Sequence, residues 1–161
     1  MDTAYILSFL QELMYFLIVF GTFILYTIIR GRQATINLIT GLYFALLISL
    51  VFPYYEVFLS AAPSAHSEAI GKLVLFLLFT LIATILMARI MPNAFREKKF
   101  ESFGKKLLLA LGGTVLVMAF SFHVLNVTEF LTPGTPIQSL FAAKEWFFWW
   151  LLAPFIVLYI N

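Results

Sequence analysis

Residues Ala34 to Leu59 have the sequence ATINLITGLYFALLISLVFPYYEVFL, which is largely apolar but carries a small or polar residue at every fourth position from 37 to 49. These residues are Asn37, Gly41, Ala45 and Ser49. Because an α-helix has 3.6 residues per turn, residues four apart lie along one slowly drifting stripe of its surface. Small side chains in such a stripe let a second helix backbone approach closely, which matters in lipid, where apolar area alone does not hold helices together. The segment is therefore predicted to be the main packing helix of a helical membrane protein.

The composition of the whole chain agrees with that class. Of its 161 residues, 63% are hydrophobic and only 11% are charged, whereas about a quarter of a soluble globular domain is charged. The expected surroundings are a lipid bilayer, and the length allows four or five spans of about 20 residues without a separate soluble domain. The chain has no cysteine, which excludes disulfides, thiolate metal sites and thiol nucleophiles.

The predicted fold is all-α: a single polytopic bundle over residues 1–161, with four transmembrane helices and a fifth C-terminal membrane-embedded helix. The fifth helix is expected to be short or tilted, and bent at Pro154. Pro53 is expected to kink the last turns of the second helix. The fourth helix has a small-residue face of its own that includes Gly112 and Gly113, and this face is the predicted partner of the Gly41 stripe. The five segments cover approximately residues 5–29, 34–59, 70–91, 107–127 and 137–160.

The basic residues predict an orientation. Eight of the ten Lys and Arg residues fall in or beside two connections, after the first span and after the third. By the positive-inside bias, loops 30–33 and 92–106 are expected in the cytoplasm and the N-terminus outside, in a multi-pass cell-membrane protein. The second connection is a cytoplasmic basic loop whose charges act mainly as topological determinants, with specific lipid or protein recognition as the alternative. Its main cations are Arg96, Lys98, Lys99, Lys105 and Lys106.

Few polar groups are placed where they could carry chemistry. Glu12 is the carboxylate that could lie within the hydrocarbon, and if the first helix starts at residue 5, His123 near the outer end of the fourth span could meet it as an intramembrane polar pair. Alternatively the span starts at Leu13, and Glu12 is solvated by lipid headgroups. His66 and Glu68 are too few to bind a metal, which needs three or four ligands. No catalytic residues, metal site or cofactor are predicted.

The order of these features resembles the colicin V production protein (CvpA) family. The resemblance rests on an acidic residue near the start of the first span, Arg30-Gly31 at its cytoplasmic end, and a second helix with leucines and small residues that ends in Tyr54-Tyr55. A charged loop, Gly112-Gly113 in the fourth span and an aromatic C-terminal segment, Trp146 to Trp150, follow in the same order. The resemblance implies a four-helix inner-membrane protein linked to toxin export, envelope maintenance or surface growth, without established catalytic residues.

Two functions remain open from the sequence. The first is a non-enzymatic integral membrane subunit or scaffold, which packs against copies of itself or against other membrane proteins and has no nucleic-acid partner. The second is a small transporter or channel, in which a polar groove of Asn37, Gly41 and Ser49, with Glu12, lines a passage. An intramembrane enzyme is not expected, because the polar residues at membrane depth do not form an acid, base and nucleophile set.

Overall fold

A computed structural model describes residues 3–60, 64–91, 103–124 and 136–160, and the regular structure in these ranges is entirely α-helical. This confirms the all-α class. The helices in the described part are α1 (Thr3–Val51), α2 (Tyr55–Leu59), α3 (Ala65–Ile90), α4 (Phe103–His123), α5 (Pro136–Ala142) and α6 (Lys144–Ile160).

Helix α1 is folded into a hairpin at Gly31. Its 49 residues would extend about 74 Å if straight, more than twice the thickness of a hydrocarbon core. Gly31 interrupts the helix with φ 83° and ψ 173°, a conformation that only glycine adopts without strain. The hydroxyls of Thr27 and Thr35 are 3.2 Å apart, although residues eight apart in a straight helix are separated by about 12 Å. Residues 3–30 and 32–51 are therefore two antiparallel arms, called here the N-terminal arm and the C-terminal arm.

Several helix boundaries differ from the sequence prediction. The C-terminal arm ends at Val51, and Pro53 lies in a break before the separate short helix α2, rather than kinking one continuous helix. Helix α3 begins earlier than predicted because Ser64 caps it: its side chain accepts a hydrogen bond from the Ser67 amide at 3.2 Å. Helix α4 likewise begins at Phe103, so the last part of the basic loop is helical.

The expected bend at Pro154 is not the sharp turn of the C-terminal segment. The chain bends by 79° at the break between α5 and α6, which falls at Ala143. Pro154 lies inside α6, where it is buried and packs near Gly112 of α4. A proline removes one intrahelical hydrogen bond, and Pro154 Cβ would lie 3.5 Å from a Cβ atom placed at Gly112, an ordinary contact distance.

Helix α4 is the centre of the bundle. In the 18-residue apolar stretch of α4, 61% of the residues are buried, compared with 17% in the equivalent stretches of α1 and α3. Phe76 of α3 stacks on Phe120 of α4 with ring centroids 3.6 Å apart. On another side, the Tyr15 hydroxyl of the N-terminal arm lies 2.8 Å from Ser121 Oγ. Together with the contact between Gly112 and Pro154 of α6, these contacts place the N-terminal arm, α3 and α6 against α4.

The outer surfaces of these helices are apolar and exposed. Three helices, α1, α3 and α4, are long and apolar enough to cross a membrane, and α5 with α6 is a fourth candidate if the bent pair forms one span. Because α1 reverses at Gly31, its two arms run in opposite directions. The chain is a multi-pass helical membrane protein.

Candidate functional site

Five of the seven Lys and Arg residues in the described part of the chain lie at one end of the bundle, whereas Lys72 and Lys144 lie toward the other end. The basic end is the end of the α1 hairpin turn, the C-terminus of α3 and the N-terminus of α4, because these elements run antiparallel to their neighbours. The described cations at this end are Arg30, Arg32, Arg89, Lys105 and Lys106. Of the predicted basic-loop residues, Arg96, Lys98 and Lys99 lie outside the described residues.

A cleft of about 660 Å³ opens at this basic end, between the α1 hairpin and α3. We call it the polar cleft. Tyr26, Arg30 and Asn37 line its α1 side, and Thr84 lies on the opposing α3 side. The remaining lining is apolar and comes from Ile29, Ala34, Ile85 and Ala88. The polar cleft is therefore lined by both hydrogen-bonding groups and apolar side chains.

The sequence assembles this cleft through two glycines. Tyr26 and Arg30 are four residues apart and share one face of the N-terminal arm. The reversal at Gly31 brings Asn37 of the C-terminal arm beside them. Gly41, one turn after Asn37, lets α3 approach closely. Thr84 of α3 therefore lines the opposite side of the cleft.

The hydrogen bonds around the turn fix the orientation of Asn37. This residue is only 4% exposed, and its Oδ1 accepts a hydrogen bond from Gln33 Nε2 at 3.2 Å. With the oxygen engaged, the amide nitrogen of Asn37 is left as a donor. Thr35 donates to the Gly31 carbonyl at 3.0 Å, which satisfies a backbone acceptor at the break in α1.

The four residues of the predicted packing stripe, Asn37, Gly41, Ala45 and Ser49, are all buried. A Cβ atom at Gly41 would conflict with Thr84 Oγ1 and would lie 2.9 Å from the Thr84 backbone nitrogen and 3.1 Å from its Cα. Gly41 therefore packs directly on the backbone of α3. The expected pairing of this stripe with the glycines of α4 is wrong, because the N-terminal arm and α6 occupy those glycines instead.

The two glycines of α4 face different neighbours. A Cβ at Gly113 would overlap the buried ring of Phe23, approaching its Cδ1 to 2.6 Å. A Cβ at Gly112 would meet Pro154 Cβ at 3.5 Å, an ordinary van der Waals distance. Gly113 is thus a site of close contact with the N-terminal arm, and Gly112 forms a looser contact with α6.

The candidate pair Glu12 and His123 lies toward the opposite end of the bundle. Glu12 is only 1% exposed and sits one turn before Tyr15, so the protein rather than the lipid headgroups surrounds it. The His123 ring packs against Phe147 of α6 with centroids 4.1 Å apart. A direct contact between Glu12 and His123 stays a prediction.

Two polar residues that line the cleft and one contact between helices were not predicted from the sequence. Tyr26 and Thr84 were not singled out, although the i, i+4 spacing of Tyr26 and Arg30 placed both on one face. The Tyr43 hydroxyl donates to the backbone carbonyl of Leu151, which ties the C-terminal arm to α6. No sequence pattern predicts that bond, because it joins residues 108 positions apart.

The chain matches no protein-family model, no curated protein and no solved structure. Its class, a multi-pass helical membrane protein, therefore rests on its own helices and their contacts. Fold class alone does not define a function.

Proposed function

We propose that the protein is a non-enzymatic integral membrane subunit or scaffold of the CvpA-like type, which assembles with copies of itself or with other membrane proteins. The observation that carries the proposal is the enclosure of α4, which leaves the centre of the bundle filled with side chains. The resemblance to the CvpA family links such a subunit to envelope maintenance or export in a bacterial inner membrane.

The contacts within the bundle support a rigid packing unit. Hydroxyl groups at membrane depth bond within their own helices: Thr80 donates to the Phe76 carbonyl at 2.8 Å, and Thr114 donates to the Ala110 carbonyl at the same distance. Such bonds satisfy hydroxyls that would otherwise be costly in an apolar interior. They also engage the donor hydrogen of each hydroxyl within its own helix.

The rival function is a small transporter or channel. It requires Asn37, Ser49 and Glu12 to line one route across the bilayer. Asn37 lines the polar cleft at the basic end, but neither Ser49 nor Glu12 belongs to that cleft. Between Asn37 and Ser49 on the same stripe, Gly41 packs directly on the backbone of α3, which leaves no space for a passage there and favours the subunit over the transporter.

The proposed orientation puts the basic end of the bundle in the cytoplasm. Loops 30–33 and 92–106 then lie inside the cell, and the N-terminus lies outside. The clustering of Arg30, Arg89 and Lys105 at one end of the bundle supports this placement through the positive-inside bias.

The discriminating experiment combines native mass spectrometry in a mild detergent with a flux assay in liposomes. A subunit is expected to give a discrete oligomer or a defined hetero-complex, no flux, and little response to Glu12→Gln. A monomer that conducts ions or solutes, and loses conduction in Glu12→Gln while remaining inserted, would refute the proposal and establish the transporter. Gly41→Leu is not a selective assembly variant, because Gly41 packs within the chain.

A further inference from the structure

The polar cleft has the chemistry of an anion site that opens toward lipid. We propose that it binds the phosphate group of an anionic phospholipid from the leaflet at the basic end of the bundle. This inference goes beyond the proposed subunit function and stands or falls separately from it, because it concerns one cleft within a single chain.

The charge of the cleft favours an anionic ligand. The Arg30 side chain is exposed and lines the cleft, and no described lining residue is acidic. Arg30 also forms no ion pair within the described part of the chain. A guanidinium group binds phosphate oxygens through two parallel hydrogen bonds, so Arg30 is suited to this role.

The uncharged polar groups select an acceptor ligand. The Tyr26 hydroxyl can donate a hydrogen bond, and so can the side-chain amide nitrogen of Asn37. The Asn37 Oδ1 atom accepts a hydrogen bond from Gln33 Nε2. Tyr26 and Asn37, together with Arg30, present donors from both arms of the hairpin. A phosphodiester, whose unesterified oxygens only accept hydrogen bonds, matches this set.

The apolar residues that line the cleft indicate that the phosphate belongs to a lipid. Ile29 is 68% exposed and Ile85 is 50% exposed, and both line the cleft on surfaces that face the bilayer. Basic pockets between transmembrane helices at the cytoplasmic side are recurrent sites for lipid headgroups. A volume of about 660 Å³ also lies in the range of small-molecule sites, roughly 300–1,000 Å³, so it can hold a headgroup and the start of its acyl chains.

Native mass spectrometry of the full chain in mild detergent tests the proposal by titration with dioleoyl phosphatidylglycerol. Dioleoyl phosphatidylcholine is the zwitterionic comparison, and inorganic phosphate tests for a free anion. Phosphatidylglycerol is expected to bind most tightly, and Arg30→Gln is expected to weaken its binding about tenfold, as for the loss of a charge-assisted hydrogen bond. Arg89→Gln removes an exposed cation at the same end but outside the cleft, and is expected to change binding by less than about twofold.

A second pair of variants tests the site by its shape. Ala88→Phe fills the polar cleft without changing any charge and is expected to abolish the preference for phosphatidylglycerol. Val74→Phe places the same ring on an exposed part of α3 away from the cleft and is expected to leave that preference intact.

Three results would overturn the proposal. Equal losses in Arg30→Gln and Arg89→Gln would show non-specific attraction to the basic end. Unchanged phosphatidylglycerol binding in Ala88→Phe would place the lipid elsewhere. Inorganic phosphate binding as tightly as phosphatidylglycerol would make the cleft a site for a soluble anion.

Discussion

The contact between Gly41 and α3 makes the sharpest stability prediction. In Gly41→Ala the new methyl group would meet the Thr84 side chain and would approach the Thr84 nitrogen to 2.9 Å and its Cα to 3.1 Å. Because the last two atoms belong to the backbone, the clash cannot be relieved by a side-chain rotation alone, and the two helices must separate. Overpacking of this kind costs about 1–3 kcal/mol.

Gly21→Ala is the matched control. Gly21 also lies inside α1, but nothing is within 4 Å of a Cβ placed there. Alanine is favoured over glycine in a helix interior by up to about 1 kcal/mol, and this gain applies to both variants. The difference in free energy of unfolding between Gly41→Ala and Gly21→Ala therefore isolates the packing cost, expected to be about 1–3 kcal/mol.

The assay is reversible unfolding in mixed micelles, with dodecyl sulfate as the denaturant and far-ultraviolet circular dichroism as the signal. The double variant Gly41→Ala/Thr84→Ala should recover only part of the loss, because it removes Thr84 Oγ1 but leaves the backbone conflict. Equal effects of the two single glycine variants would refute the close approach of α1 and α3. Complete recovery in the double variant would show that only the side chain opposes the methyl group.

Three further perturbations follow from the other contacts. Gly113→Ala should lower the free energy of unfolding by about 1–3 kcal/mol, because its methyl group would overlap a buried ring. Gly112→Ala should lower it by less than about 1 kcal/mol, because its contact is an ordinary one. Equal losses in the unfolding assay would contradict the neighbours assigned to the two glycines. Cysteines replacing Thr27 and Thr35 should form an intrachain disulfide on mild oxidation, detected as a thiol-dependent gel shift, and no bond would form if α1 were straight. Tyr43→Phe should cost about 1 kcal/mol by removing a hydrogen bond to a backbone carbonyl of α6, and an unchanged unfolding midpoint would show that this bond contributes nothing.

The helical membrane class and the reversal after the first span were predictable from the sequence, because both depend on local composition. A long apolar run interrupted by Arg30-Gly31-Arg32 indicates two short antiparallel helices. The burial of Gly41 and Ala45 also follows from their spacing. Such a stripe shows that another helix comes close, but it carries no information about which helix, and the pairing with α4 was therefore wrong.

The polar cleft was less predictable than the fold. It depends on the distance between two helices that are about 50 residues apart in sequence, and on the orientation of Asn37 set by Gln33. The 79° bend between α5 and α6 was also not predicted, because no proline or glycine lies at the break at Ala143.

Sided cysteine labelling tests the central claim most directly, namely that an antiparallel bundle holds its basic end in the cytoplasm. The chain has no cysteine of its own, so each introduced thiol reports one position, and Arg30, Lys105, Glu56 and Lys144 are all exposed. A membrane-impermeant maleimide added to intact cells should label Glu56→Cys and Lys144→Cys, and should label Arg30→Cys and Lys105→Cys only after permeabilisation. Labelling of Arg30→Cys and Glu56→Cys from the same side, or of Arg30→Cys and Lys105→Cys from opposite sides, would contradict the account.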